Sequence, residues 1–132
     1  MDKILVVDDI DENIELISRF LLSLDYEVII ARNGETALQK IQSFSPDLII
    51  LGLILPDMDG YEICRRLKSN QNTEYTSVLM VTAHGSTGSR IKALEAGADD
   101  FITKPFDQIT LLAKVKSLLR IKHLSDQLKQ KY

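Results

Sequence analysis

Short apolar runs alternate with longer amphipathic segments along this 132-residue chain. The apolar runs are rich in branched residues, and they cover residues 4–7, 28–31, 48–51, 78–82 and 101–103. Nearly continuous apolar strands separated by helical segments are typical of a parallel sheet that is covered by helices on both faces. The pattern therefore predicts a single α/β domain with a doubly wound, five-stranded parallel sheet and five helices.

The segments between the strands show apolar residues three or four positions apart, as expected for helices that cover a sheet. The positions that follow this spacing in the first four helices are Ile14, Ile17, Leu21 and Leu24; Ala37, Leu38 and Ile41; Ile63, Cys64 and Leu67; and Ile91 and Leu94. Asn, Asp and Gly favour helix ends. Their positions predict helix boundaries at Asn33-Gly34, Gly60, about Gly88, Gly97 and Asp107.

The last helix shows a buried side within the domain and a different pattern beyond it. Its buried side consists of Leu111, Leu112, Val115, Leu118 and Leu119. Past Arg120, only Ile121, Leu124 and Leu128 continue as a thin apolar stripe among lysines. A helix that links the domain to an output domain, or that pairs with a partner, would show this stripe, and so would a fraying, solvated end. We therefore divide the chain into a domain of residues 1–120 and a helical extension of residues 121–132.

Charge and composition narrow the classes of partner. The 16 basic and 19 acidic residues leave a net charge of -3, whereas binding of duplex nucleic acid requires a basic surface, so this domain is not expected to bind nucleic acid directly. The apolar runs are far shorter than the roughly 20 residues that span a bilayer, and the start shows no signal-peptide pattern. These features predict a cytoplasmic protein with no membrane partner. Cys64, the only cysteine, is expected in the core.

Polar residues follow three of the predicted strands. Asp8-Asp9 comes after the first strand, Thr82-Ala83 lies at the end of the fourth, and Lys104 follows the fifth. Each has an ordinary explanation on its own, namely helix capping, a β-branched strand residue and a surface lysine. Because ligands bind where the carboxyl ends of parallel strands converge, we interpret the set as a site for a dianionic phosphoryl group with a bridging Mg²⁺.

The sequence resembles the receiver domain of two-component response regulators over residues 3–120. The motifs that carry the resemblance are ILVVDD at 4–9, PDLIIL at 46–51, LPDMDG at 55–60, VTA at 81–83, GADDF at 97–101 and TKPF at 103–106. The resemblance implies a flavodoxin-like strand order of 2-1-3-4-5 and a sensor histidine kinase or phosphotransfer protein as partner.

The resemblance also implies roles for individual residues. Asp9 would be a direct magnesium ligand, Asp8 a second acid acting partly through water, and the backbone carbonyl of Ile54 a further ligand. Thr82, Ala83 and Lys104 would hold the phosphoryl oxygens. Phe101 would be the aromatic switch on the output face.

The sequence departs from the family at Gly52. Receivers carry the phosphorylated aspartate at the end of the third strand, four residues before the proline that is Pro56 here. Glycine has no carboxylate to accept a phosphoryl group or to ligate a metal, so we expect no phosphotransfer at this position and weaker Mg²⁺ binding. Asp47, Asp57 and Asp59 are not expected to replace it, because the first lies at the opposite end of the strand and the others lie in an exposed loop. His84, near Thr82, is interpreted as a loop residue.

Three hypotheses about function follow. The first is a non-enzymatic receiver module of phosphorelay signalling that acts through protein contacts, with an effector domain or a second copy bound through the last helices. The second is a normal Asp-phosphorylated receiver in which Gly52 is an introduced substitution. The third is a metal-dependent phosphatase with an aspartyl nucleophile, which lacks the same carboxylate. A nucleotide or flavin site is disfavoured, because the first strand ends without a glycine-rich turn.

Overall fold

The computed structural model describes residues 1–83 and 87–131, and these residues form one parallel sheet flanked by helices. The strands are β1 (Asp2–Val7), β2 (Tyr26–Ala31), β3 (Leu48–Gly52), β4 (Ser77–Thr82) and β5 (Asp100–Thr103). The helices are α1 (Asp11–Leu21), α2 (Gly34–Phe44), α3 (Gly60–Lys68), α4 (Thr87–Glu95) and α5 (Gln108–Lys131). The sheet order is β2-β1-β3-β4-β5, which confirms the predicted doubly wound fold.

The two faces of the sheet bury separate sets of alternate strand residues, as the period of two requires. On one face, Leu5, Ile49 and Met80 pack against α2, α3 and α4. On the other face, Ile4 and Ile50 pack against α1 and α5. All residues of β3 and β4 are buried, which explains why these strands read as continuous apolar runs. The arrangement brings the carboxyl ends of β1, β3, β4 and β5 together at one edge.

The predicted helix boundaries agree with the structure. Asn33 and Asp59 cap α2 and α3, because their side chains accept hydrogen bonds from the amides of Thr36 and Glu62. Asp107 accepts a bond of 2.7 Å from the amide of Thr110 at the start of α5. Gly97 follows α4 with a φ of 99°, a conformation that side chains other than glycine's disfavour. The polar residues at these positions therefore set where the helices begin and end.

Two details of the helix prediction are wrong. Leu24 lies beyond the end of α1, where its amide bonds to the carbonyl of Leu21 in a turn. In α4, Ile91 and Leu94 are 47% and 55% exposed, and Ala93 is buried instead. The small alanine side chain lets the helix lie close to the sheet while the larger residues point outward.

The extension past Arg120 is helical, because α5 continues without a break to Lys131. Lys122 lies 3.9 Å from Asp47 at the start of β3, and His123 lies 2.8 Å from Asp2 of β1. The stripe of Ile121, Leu124 and Leu128 is at least half exposed. The extension therefore contacts the sheet edge through polar groups and presents its apolar stripe outward. No helix of the described residues, α5 included, has the length and apolar character needed to cross a membrane.

Cys64 lies in the core, as predicted, with no exposed surface. Burial raises the pKa of its thiol to about 11, and Asp99 adds to the shift while Lys68 opposes it. A thiol with this pKa is protonated at neutral pH, and thiolate is the reactive form of cysteine. Cys64 therefore acts as a small apolar core residue.

Candidate functional site

A cavity of about 160 Å³ lies at the carboxyl edge of the sheet. It is lined by Asp8, Asp9, Ile10, Asn13, Gly52, Leu53, Ile54, Val81, Thr82, Ala83 and Lys104. The structure thus brings together every residue that the sequence assigned to metal or phosphoryl binding. His84 was interpreted as a loop residue near this cavity and lies outside the described residues.

A larger cavity of about 520 Å³ lies at the opposite edge of the domain, between α2, the segment that follows α3, and α5. Its charged groups Lys122 and Asp126 form an ion pair with each other. Lys129 donates to the carbonyl of Gln71. Size alone does not mark a functional site, and the smaller cavity lies at the carboxyl ends of the strands, where ligands bind in parallel sheets.

Asp8 is the buried acid of the site, with only 5% of its surface exposed. Its carboxylate accepts a hydrogen bond of 2.9 Å from the amide of Ile10 and bonds of 3.3 and 3.2 Å from the side-chain amide of Asn13. The side chain of Ile10, the N-cap residue of α1, makes no capping bond. Asn13, which the sequence analysis missed, fixes the carboxylate from the first turn of α1, and Asp9 is exposed.

Gly52 ends β3 as a regular strand residue paired with Val81. A Cβ atom at this position would lie 3.1 Å from the carbonyl oxygen of Val7 and 3.3 Å from Oδ2 of Asp8. These distances are tight but not prohibitive. A carboxylate here would stand beside Asp8, and clustered carboxylates repel one another when no cation is bound. Glycine avoids both the crowding and the repulsion, and it presents no side chain to the cavity.

The cavity offers oxygen donors for a hard cation. Asp8, Asp9 and Ile54 line it, and Mg²⁺ is commonly bound through one or two carboxylates with several waters retained. The donor types therefore fit magnesium. Among residues 1–83 and 87–131, however, no group of three His, Cys, Asp or Glu side chains is placed to hold a metal ion. The cavity therefore supplies two carboxylates, those of Asp8 and Asp9.

Thr82 ends β4 and Lys104 directly follows β5, on the side of Gly52 away from β1. Thr82 is 6% exposed at the end of β4, and its carbonyl accepts a bond of 2.9 Å from the amide of Lys104. The Lys104–Pro105 peptide bond is cis. The backbone bond places the two residues side by side, and both line the cavity.

Phe101 does not line the cavity. Its ring is partly buried between α4 and α5, with Cζ of Arg90 5.1 Å and Nζ of Lys114 6.0 Å from the ring centre. Lys114 also lies 3.0 Å from Asp100. Cations over an aromatic face are attracted by its quadrupole. The ring is therefore held by the two helices of the face that the sequence assigned to output.

The loop between β3 and α3 is anchored to the start of α2 by Asp57. The carboxylate accepts bonds of 2.7 and 2.9 Å from the amides of Gly34 and Glu35. These bonds hold the pKa of Asp57 below its ordinary value of 3.8. Asp59 in turn caps α3. Both loop acids are committed to helix ends, which agrees with the expectation that they do not replace the missing carboxylate.

Replacement of Asp57 by asparagine is expected to lower the free energy of unfolding at pH 7, because an amide has only one oxygen for the two backbone donors. Since the folded pKa is depressed, the contribution of Asp57 is present above about pH 4 and is lost as the pH falls through the folded value. Urea unfolding at pH 7 and pH 3 measures this contribution. The difference in the free energy of unfolding between wild type and Asp57→Asn should be smaller at pH 3 than at pH 7. The matched control is Asp25→Asn, which removes an exposed carboxylate and should change little. An equal difference at both pH values would contradict the anchoring role.

Sequence comparisons agree with this geometry. Residues 4–116 match the family model described as the response regulator receiver domain. The response regulator PleD of Caulobacter vibrioides is 44% identical over 129 residues, which cover 98% of this chain and 28% of PleD. The Bacillus subtilis regulatory protein PhoP, named for alkaline phosphatase synthesis, is 42% identical over 118 residues, or 89% of this chain and 48% of PhoP. The chain thus spans a quarter to a half of these relatives.

Solved structures lead to the same conclusion. A response regulator from Chloroflexus aurantiacus superposes with a TM-score of 0.87 at 39% identity, covering 90% of this chain and 98% of that one. The chemotaxis response regulator CheY4 of Vibrio cholerae superposes with a TM-score of 0.84 at 31% identity, covering 89% and 98%. Family model, sequence relatives and fold agree across nearly the whole chain, which therefore belongs to the response regulator receiver domain family.

Proposed function

We propose that this chain is a non-enzymatic receiver module of two-component signalling that takes no phosphoryl group at the position that ends β3. The observation that carries the proposal is Gly52, which stands in a cavity otherwise lined by the acids, hydroxyl and lysine of a receiver. Transfer of a phosphoryl group needs a nucleophile in line with the leaving group, while the metal and the lysine neutralise the charge on the phosphoryl oxygens. Glycine offers none, and both nearby loop acids are bonded to helix ends.

Output would then pass through protein contacts. The candidate surfaces are the face around Phe101 and the exposed stripe of Ile121, Leu124 and Leu128 on the extension of α5. Apolar residues at spacings of three and four suit a helical partner, either an effector segment or a second copy. Receiver domains interact with histidine kinases and effector domains, and we infer that a sensor kinase or phosphotransfer protein docks here without leaving a covalent phosphate.

Magnesium binding is proposed to persist in weakened form. Asp8, Asp9 and the Ile54 carbonyl would hold the ion, and the ion would supply charge neutralisation for any anion at the cavity. With two carboxylates in place of three, more of its ligands would be water.

The experiment that tests the proposed function is incubation with acetyl phosphate and Mg²⁺, followed by intact mass measurement. We expect no adduct on the chain as it stands. A stoichiometric phosphoryl adduct would refute the proposal. Because an aspartyl phosphate is labile, the mass is recorded promptly and again after hydroxylamine treatment, which removes an acyl phosphate.

Replacement of Gly52 by aspartate tests whether Gly52 is the only residue that separates this cavity from a working phosphoryl-accepting site. If Gly52 is the sole obstacle, Gly52→Asp should gain one phosphoryl group per chain under the same conditions, and Gly52→Ala, the matched control, should gain none. The intact arrangement of Asp8, Thr82 and Lys104 favours this gain. A Gly52→Asp chain that folds but stays unmodified would mean that the cavity differs from a working site in more than one residue.

A further inference from the structure

Gly52 leaves room for a group that the chain does not supply. β3 lies between β1 and β4 in the sheet, so the cavity beside Gly52 is flanked by Asp8 and Asp9 on one side and by Thr82 and Lys104 on the other. Acidic donors and an ammonium group thus face the same space. Any ligand that enters must therefore pair with both the carboxylates and the ammonium group.

The formal charges of the cavity indicate which combination of ligand charges would leave it neutral. Asp8 and Asp9 carry two negative charges and Lys104 carries one positive charge, so the cavity has a net charge of about minus one at pH 7. Mg²⁺ alone would leave an excess of about one positive charge, and a carboxylate alone would add to the negative excess. The two ligands together leave the cavity neutral.

We propose that the cavity binds a free carboxylate group together with Mg²⁺ in the space beside Gly52, and that each ligand raises the affinity for the other. The incoming carboxylate takes the place that an aspartate side chain would occupy, so it restores the third acidic oxygen donor from outside the chain. This inference rests on the proposed absence of an acceptor at Gly52. The source of the carboxylate is either a small free anion or an acidic side chain of a partner protein, since both present the same chemical group.

Amide NMR titration of the whole chain with Mg²⁺ tests the coupling, in sodium formate and in sodium chloride of equal ionic strength. Formate is chosen because it is a carboxylate with no further carbon attached. It therefore lacks a counterpart of the Cβ atom that would crowd Val7 and Asp8. The apparent dissociation constant for Mg²⁺ is expected to be at least about fivefold lower in formate, the lower end of ordinary coupling between two ligands. Formate without Mg²⁺ should leave the cavity amides unshifted. Equal affinity in the two salts would overturn the proposal.

Two variants locate the carboxylate. Gly52→Ala places a methyl group one bond from the position proposed for the carboxyl carbon, where the two would overlap, so the formate effect should disappear. Gly52→Asp supplies the group from the chain, so Mg²⁺ should bind more tightly in chloride and gain nothing from formate. A formate effect of undiminished size in Gly52→Ala would place the anion elsewhere and refute the inference. Lys104→Met, which leaves β3 untouched, provides a second check and should also reduce the effect.

A parallel titration separates the two sources of the carboxylate. A stronger effect of N-acetyl-aspartate amide than of formate would assign the group to a protein side chain, whereas an effect of formate alone would assign it to a small anion. No effect from either would overturn the inference. None of these titrations contains a phosphoryl donor, so their failure is distinct from an adduct in the acetyl phosphate assay, which would refute the proposed function instead.

Discussion

Replacement of Gly60 by alanine is expected to lower the free energy of unfolding by about 2–3 kcal/mol, the upper part of the usual cost of overpacking. A Cβ atom at Gly60 would lie 2.5 Å from the carbonyl oxygen of Gly52 and 3.2 Å from Cα of Leu53. Both are backbone atoms of β3 and the turn after it, so no side chain can move aside. The amide of Gly60 also donates a bond of 2.7 Å to the carbonyl of Leu53. This bond holds the start of α3 close to the end of β3.

Gly88→Ala is the matched control for this prediction. Gly88 lies in α4 with nothing within 4 Å of an added Cβ, and alanine favours a helix over glycine by up to about 1 kcal/mol. Chemical denaturation of both variants should therefore give changes of opposite sign. If Gly60→Ala unfolds at the same denaturant concentration as the wild type, then the start of α3 is not held rigidly against the end of β3. A destabilised variant should also bind Mg²⁺ less well, because the shifted turn carries Ile54.

Replacement of Leu111 by alanine is expected to cost about 3 kcal/mol, within the range for large-to-small changes in a core. Leu111 has no exposed surface and belongs to the apolar cluster that joins α5 to Ile4, Ile50 and Leu79. Alanine would remove buried apolar surface and leave a void between α5 and the sheet. The expected effect is a lower denaturation midpoint with an unchanged slope.

Ile109→Ala provides the comparison within the same helix. Ile109 is 83% exposed, so its loss should change the free energy of unfolding by no more than about 0.5 kcal/mol. Similar losses for Ile109→Ala and Leu111→Ala would contradict the placement of α5, because burial is the main property that separates the two positions.

The strands were predictable from the sequence because burial on both faces leaves little choice but apolar residues. The first residues of four strands were not. The apolar runs begin later than the observed strands, because polar residues are tolerated where a strand begins. The observed first residues are Asp2, Tyr26, Ser77 and Asp100. The face of α4 was missed for a related reason: helical spacing shows which residues share a side, but it does not show that Ala93, rather than the larger residues, faces the sheet.

The candidate site was also predictable from the sequence only in part. Residues that directly follow strands were predictable, because the carboxyl ends of parallel strands must meet. Asn13 was not predicted, although its bond to Asp8 spans only five residues, and the role of Asp57 was not predictable because it depends on a tertiary contact. The amides that Asp57 binds belong to Gly34 and Glu35, more than twenty residues earlier in the chain, and no local pattern marks such a pair.

The two halves of α5 differ in the forces that hold them. Within the domain the helix is fastened by apolar side chains such as Leu111 and Val115, whose burial responds little to dissolved salt. Past Arg120 its contacts with the sheet edge are ionic or polar, through Lys122 and His123, and such contacts weaken as ions screen them. One continuous helix therefore has a half held by apolar burial and a half whose contacts with the sheet are the more sensitive to salt.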